Sequence, residues 1–276
     1  MITIKEMSFK YSKTDIFKDI SLQFEQGHIY GLLGENGVGK TTLLKIICGL
    51  QPPYSGRCEV DGIRSFDRPA QMLENMVFVP DTIYATEGST PRKHIRMLAP
   101  FYPKYDEQQF IELAQQLNID VDMKFKSMSH GMQKKAIIAG ALSLNTDYLL
   151  LDEPTNGLDI PSKVEMRRIL ANVANENRTI IISTHQVKDV ENLIDTVIIL
   201  TQQEVLLNAG ITEIEERLTF EYSDQPLPEA IYTEQLPNGY MNVSENTNGD
   251  ESQVNIETLF NAVTHNRDRI KNIFGR

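Results

Sequence analysis

The run Gly34-Glu35-Asn36-Gly37-Val38-Gly39-Lys40-Thr41 fits the spacing G-x-x-x-x-G-K-[ST]. Glycines let the backbone curl so that successive N–H groups face one anion, and a helix starting at the same place adds its partial positive end. Lys40 supplies a full charge for the outer phosphates of a triphosphate, and the Thr41 hydroxyl is a hard ligand suited to Mg²⁺. Further on, the apolar run Tyr148-Leu149-Leu150-Leu151 ends in Asp152 and Glu153. Asp152 suits Mg²⁺, reached through water, and Glu153 suits a base that polarises an attacking water. His185 closes a third apolar run, Ile180-Ile181-Ile182-Ser183-Thr184, and is expected to contact the terminal phosphate. Phosphoryl transfer from a nucleoside triphosphate is the chemistry these groups share.

The elements around these groups are the ones the chemistry requires. Ile29 to Leu33 reads as a strand buried on both faces, and Thr41 to Leu50 as the helix after the glycine turn, stopped by Gln51-Pro52-Pro53. Strands are expected at 148–151, 179–183 and 196–200, with a helix from Pro161 to Asn175 between the first two. Such alternation predicts a mainly parallel sheet whose ligands bind beyond its carboxyl ends. Alternating residues from Ile2 to Phe24 predict N-terminal strands, and 56–80 reads strand, helix, strand. From about 85 to 145 the pattern is helical, with Asp106 as an N-cap ahead of Phe110, Leu113, Ala114 and Leu117. The fold class is thus α/β: a phosphate-loop NTPase core, an N-terminal antiparallel β-subdomain and an inserted helical subdomain. After Gly210 the pattern resets. Thr212-Glu213-Ile214-Glu215 matches a capping box, short strands follow near 218–222, 230–235 and 239–243, and one helix is expected over 257–273. The expected division is an ATPase domain over 1–210 and a small α+β extension over 211–276.

Composition narrows the partners. The 276 residues carry 27 basic and 38 acidic side chains, a net charge of −11, without the basic footprint of a nucleic-acid binder or a polybasic membrane anchor. Cys48 and Cys58 have no metal-type spacing and read as reduced thiols. No signal peptide and no apolar run of about 20 residues is visible, so a membrane role requires a separate partner.

These motifs resemble the nucleotide-binding subunits of ATP-binding-cassette (ABC) transporters over about residues 1–210. Gly34 to Thr42 is similar to the Walker A loop, and Leu149 to Glu153 to Walker B with its catalytic glutamate. Asn156-Gly157-Leu158-Asp159 resembles the D-loop, and His185 the switch histidine. Tyr11 falls where the family stacks an aromatic ring on adenine. Met128-Ser129-His130-Gly131-Met132-Gln133-Lys134-Lys135 resembles the signature sequence, with His130 in place of its first glycine. The Q-loop glutamine is replaced by Asp81, which keeps an oxygen able to meet Mg²⁺ or its water but adds a charge.

The resemblance implies a cytoplasmic ATPase, peripheral on the inner face of the cell membrane. It implies ATP and Mg²⁺ as cofactors, a transmembrane permease as partner, and a homodimer or a heterodimer with a second ABC ATPase. Each ATP would lie between the Walker A loop of one cassette and the Ser129 region of the other. The exporter branch, with peptides, antibiotics or lipids as cargo, is implied by analogy. Two other readings are a soluble ABC-type ATPase and a nucleotide-gated regulatory module. Asp81 and His130 favour the module, and Glu153 opposes it.

Overall fold

The chain is described by a computed structural model over residues 1–83 and 85–275. Arg276, the final residue of the expected extension, lies outside the described residues. Strands β1 (Ile2–Tyr11) and β2 (Thr14–Phe24) pair antiparallel. Strand β3 (Ile29–Leu33) leads through the glycine turn into helix α1 (Lys40–Ile47). Strands β4 (Ser55–Val60) and β5 (Ile63–Arg64) return to the first sheet, whose order is β2-β1-β4-β5. A single helical turn, α2 (Ala70–Leu73), precedes β6 (Met76–Val79).

The helical insertion comprises α3 (Pro91–Leu98), α4 (Glu107–Gln116) and α5 (His130–Ser143). Asp106 caps α4 as its sequence position implies: its carboxylate accepts from the Gln109 amide at 3.0 Å. Strand β7 (Tyr148–Asp152), helix α6 (Ile160–Val173), strands β8 (Thr179–Thr184), β9 (Thr196–Leu200) and β10 (Val205–Gly210) complete the central sheet. Its order is β10-β9-β3-β8-β7-β6, with every neighbouring pair parallel except β9 and β10. In β3, β7, β8 and β9 alternate residues feed two cores. Leu149, Leu151, Ile180 and Ile182 face the helical side, whereas Leu150, Ile181 and Ile198 face α1 and the antiparallel sheet. That double burial explains the unbroken apolar runs.

The chain ends in α7 (Ile211–Arg217), β11 (Leu218–Ser223), β12 (Tyr232–Leu236), β13 (Gly239–Glu245), α8 (Ile256–His265) and α9 (Arg267–Phe274). The strands form a separate antiparallel sheet, β11-β13-β12. The apolar residues of this extension, among them Ile214, Leu218, Val243, Leu259 and Phe274, join the same core cluster as Val197, Ile199 and Leu207 of the central sheet.

Two local expectations are corrected. The single helix over 257–273 is two, because the backbone breaks at Asn266 (φ −129°, ψ 51°), the residue between α8 and α9. The capping box at Thr212 does not form. Helix α7 begins two residues earlier, with Gly210 as N-cap and no side-chain cap, and the Ile211 amide is satisfied by the Asp195 carbonyl at 2.8 Å. Among the described residues no helix is long and apolar enough to cross a membrane.

Candidate active site

The phosphate loop sits where β3 ends and α1 begins. Gly37 and Gly39 have φ of 85° and 113°, a region that favours glycine. At Gly39 a Cβ would also stand 2.7 Å from the side chains of Ile16 and Phe17, so no larger residue fits. Lys40 opens α1 with its side chain 6% exposed, and its ammonium donates to the carbonyls of Gly34 (2.7 Å) and Glu35 (3.0 Å). Burial pushes the Lys40 pKa below the ordinary lysine value, and the nearby charges of Glu153 and Asp152 oppose that shift. The Tyr11 ring, 44% exposed, packs edge-on against Phe9, and its hydroxyl accepts from Thr42 Oγ1 at 3.5 Å. The ring thus stands part-exposed beside the start of α1.

The carboxylates meet this loop from the next strands. Thr41 Oγ1 donates to Asp152 Oδ2 at 2.7 Å, and the Ser183 hydroxyl donates to Asp152 Oδ1. Parallel pairing of β7 with β8 sets Asp152 opposite Ser183. One residue on, Glu153 Oε1 accepts from the His185 amide (3.1 Å) and lies 2.8 Å from His185 Nδ1. Glu153 Oε2 accepts from Thr184 Oγ1 at 3.2 Å, and Lys40 Nζ stands 3.8 Å from Oε1. The hydroxyl of Thr41 beside the carboxylate of Asp152 is an all-oxygen donor pair, which fits Mg²⁺. Among the described residues no group of three or more His, Cys, Asp and Glu gathers as a metal cage. An ion here would complete its shell with substrate phosphate and water, the usual habit of Mg²⁺.

Ser129 caps α5, accepting from the Met132 amide at 3.3 Å, and Asp159 caps α6, accepting from the Ser162 amide at 2.9 Å. The hydrogen bond from Ser162 holds the Asp159 carboxyl below its usual range. The start of α5 lies against the loop after β7: a Cβ on Gly131 would meet the Gly157 carbonyl at 3.3 Å, and one on Gly157 would meet His130 Nδ1 at 3.4 Å. Asp81 follows β6. Its Oδ1 accepts from Lys134 Nζ at 2.8 Å and from Asn156 Nδ2 at 3.4 Å, and among the described residues no hydrogen bond joins it to Thr41 or Asp152. One oxygen of Asp81 is therefore committed to Lys134.

Residues 17–156 match the ABC transporter family. The chain is 32% identical to the ABC transporter ATP-binding protein NatA of Bacillus subtilis, over 78% of this chain and 92% of that one. It is 30% identical to the bacitracin transport ATP-binding protein BcrA of Bacillus licheniformis, over 82% and 76% respectively. A solved structure of an ATP-binding subunit of an ABC transporter superposes with a TM-score of 0.70 at 25% identity, over 78% of this chain and 92% of that one. The chain belongs to the ABC transporter family. It is the ATP-binding, ATP-hydrolysing subunit of such a transporter, using ATP with Mg²⁺ and serving a separate membrane subunit.

Within this ABC subunit, two polar residues at the site escaped the reading of motifs. Ser183 and Thr184 orient Asp152 and Glu153. Their signal was faint but present: two hydroxyls directly before His185, at the end of a run of isoleucines. Lys134 lies within the signature-like run, but nothing in that run marks it as buried. It stands between Gln133 and Lys135 near the start of α5 and is 1% exposed, with the Asp81 carboxylate as its counter-ion.

Proposed function

We propose that the subunit powers an exporter of peptides, antibiotics or lipids from the cytoplasmic face of the membrane, and that Glu153 is the base for hydrolysis. The observation that carries the second part is the cluster in which Glu153 bonds to His185 at 2.8 Å and stands 3.8 Å from Lys40, one residue from the Thr41–Asp152 pair. The likeness to BcrA, described as a bacitracin transport protein, supports the cargo class.

In this reading the amides of Gly34 to Thr42 and the Lys40 ammonium hold the β- and γ-phosphates, and Tyr11 stacks on adenine. Thr41 and Asp152 would hold Mg²⁺, whereas Asp81 Oδ1 is taken by Lys134. When bound, the ion would neutralise charge on the transferring phosphoryl group. Glu153 accepts a proton from water as its oxygen bonds the γ-phosphorus and the bond to the β-phosphate oxygen breaks. His185 and Lys40 stabilise the charge on the departing phosphoryl group. Ser129, His130, Gly131 and Met132 cover the γ-phosphate of the opposite cassette, with Asp159 at that interface. Residues 1–210 form the motor, and 211–276 are a small α+β extension that shares its core.

Glu153→Gln removes the base and keeps the shape. ATP hydrolysis is expected to fall by roughly 10²-fold or more with ATP binding retained. With ATP and Mg²⁺ the variant should elute from gel filtration as a dimer if the second cassette is another copy. Undiminished turnover would overturn the assignment of the base, and a monomer under these conditions would require a different cassette as partner.

A further inference from the structure

We infer that Lys134 is a positioning residue for hydrolysis, holding the backbone of Glu153 in its working conformation from the signature helix and linking it to Asp81. The inference rests on reading Glu153 as the base.

The Lys134 ammonium has three N–H donors, and three acceptors meet it: Asp81 Oδ1 at 2.8 Å, the Glu153 carbonyl at 2.8 Å and the Asn156 carbonyl at 3.1 Å. Its capacity is filled within the fold, and none of the three acceptors belongs to the phosphate loop. Glu153 has φ of 47°, a left-handed conformation that is uncommon for a residue with a side chain. Such conformations persist when their surroundings over-determine them. Here the Glu153 amide donates to the Ser183 carbonyl at 2.9 Å, and its carbonyl accepts from both Lys134 and the Asn156 amide at 3.2 Å. Ser183 thus fixes one side of the residue and Lys134 the other. Without Lys134 that carbonyl keeps only the Asn156 amide, and rotation of the peptide would swing the carboxylate away from His185 and Lys40.

Burial alone does not require a charge at this place. Replacing a buried ion pair with apolar side chains of similar volume is often neutral or stabilising. Asp81 is the solvent-facing member, 40% exposed, at the end of β6. A contact that draws Asp81 outward loosens the ammonium, and with it the left-handed turn at the base. The pair is therefore a short physical path from the β6 loop to the reacting carboxylate.

The test compares MgATP turnover, nucleotide Kd and thermal midpoint for full-length Lys134→Met, Asp81→Ala, Asp81→Glu and Glu153→Gln. Lys134→Met and Asp81→Ala are expected to lower kcat by about tenfold or more, with KM and Kd within about twofold, because a misplaced base costs chemistry and not binding. Asp81→Glu keeps a carboxylate within reach of the ammonium and should hold kcat within about threefold. If Lys134→Met does not fold, the two Asp81 variants, at a half-exposed position, carry the comparison. The inference is overturned if Lys134→Met and Asp81→Ala keep kcat near the unmodified value while only the thermal midpoint falls. It is equally overturned if kcat and nucleotide affinity decline together. Retained turnover in Glu153→Gln would instead sink the assignment of the base, so the two failures are told apart.

Discussion

Lys40 and Lys134 are both buried lysines within reach of Glu153, and the fold treats them in opposite ways. Lys134 has a carboxylate at 2.8 Å and two carbonyls, one for each remaining donor. Lys40 leans on two loop carbonyls, its nearest carboxylate oxygen is 3.8 Å away, and burial depresses its pKa. A charge neutralised inside the protein can hold shape. A charge that the protein leaves under-compensated is suited to an incoming anion. The contrast separates positioning from binding among two side chains of the same type.

The sharpest way to break this contrast is to remove each ammonium in turn. Lys40→Met should weaken ATP binding by about 1.5–3 kcal/mol, the range of a hydrogen bond to a charged group, whereas Lys134→Met leaves it nearly unchanged. Isothermal titration with a non-hydrolysable analogue measures both, and equal losses would erase the distinction. Stability should diverge the other way. Asp81→Asn leaves the Lys134 ammonium buried beside a neutral partner and should cost about 1–3 kcal/mol in urea unfolding. Lys40→Met, relieved of an under-compensated buried charge, should cost nothing or add stability.

Much of the first lysine's role was legible in the sequence, and the second's was not. Gly34 to Thr41 lie in one contiguous run, and their chemistry follows from residue types alone. Asp152 and Glu153 directly follow an apolar strand, which fixes the sheet edge they occupy. Lys134 gains its meaning only from Asp81, which is 53 positions away in the chain, and from a left-handed turn at Glu153. Neither leaves a periodic trace. Ser183 and Thr184 are similar cases, since strand register, set by packing, brings them to Asp152 and Glu153. The break at Asn266 was hidden because both halves of the expected helix carry helical spacing.

A pH titration sharpens the account of Lys40. Below its depressed pKa the ammonium is charged with or without ATP, so affinity is flat. Above it the free protein loses a proton that bound phosphate retains, and affinity falls as pH rises. The decline should begin below the ordinary lysine value near 10.4, and Lys40→Met should abolish it. The smallest effects belong to the caps. Asp159→Ala should cost about 1 kcal/mol of stability, the typical value of an N-cap, as a shift in the urea midpoint with an unchanged slope.

The C-terminal appendage does not merely hang from the motor. Leu218, Val243 and Leu259 complete the same apolar interior as Val197 and Leu207. Trimming the chain after Gly210 would therefore strip a wall from that interior and leave a greasy scar on the remaining fragment. Heating the intact protein should give one calorimetric peak, and the trimmed fragment should clump well before that temperature.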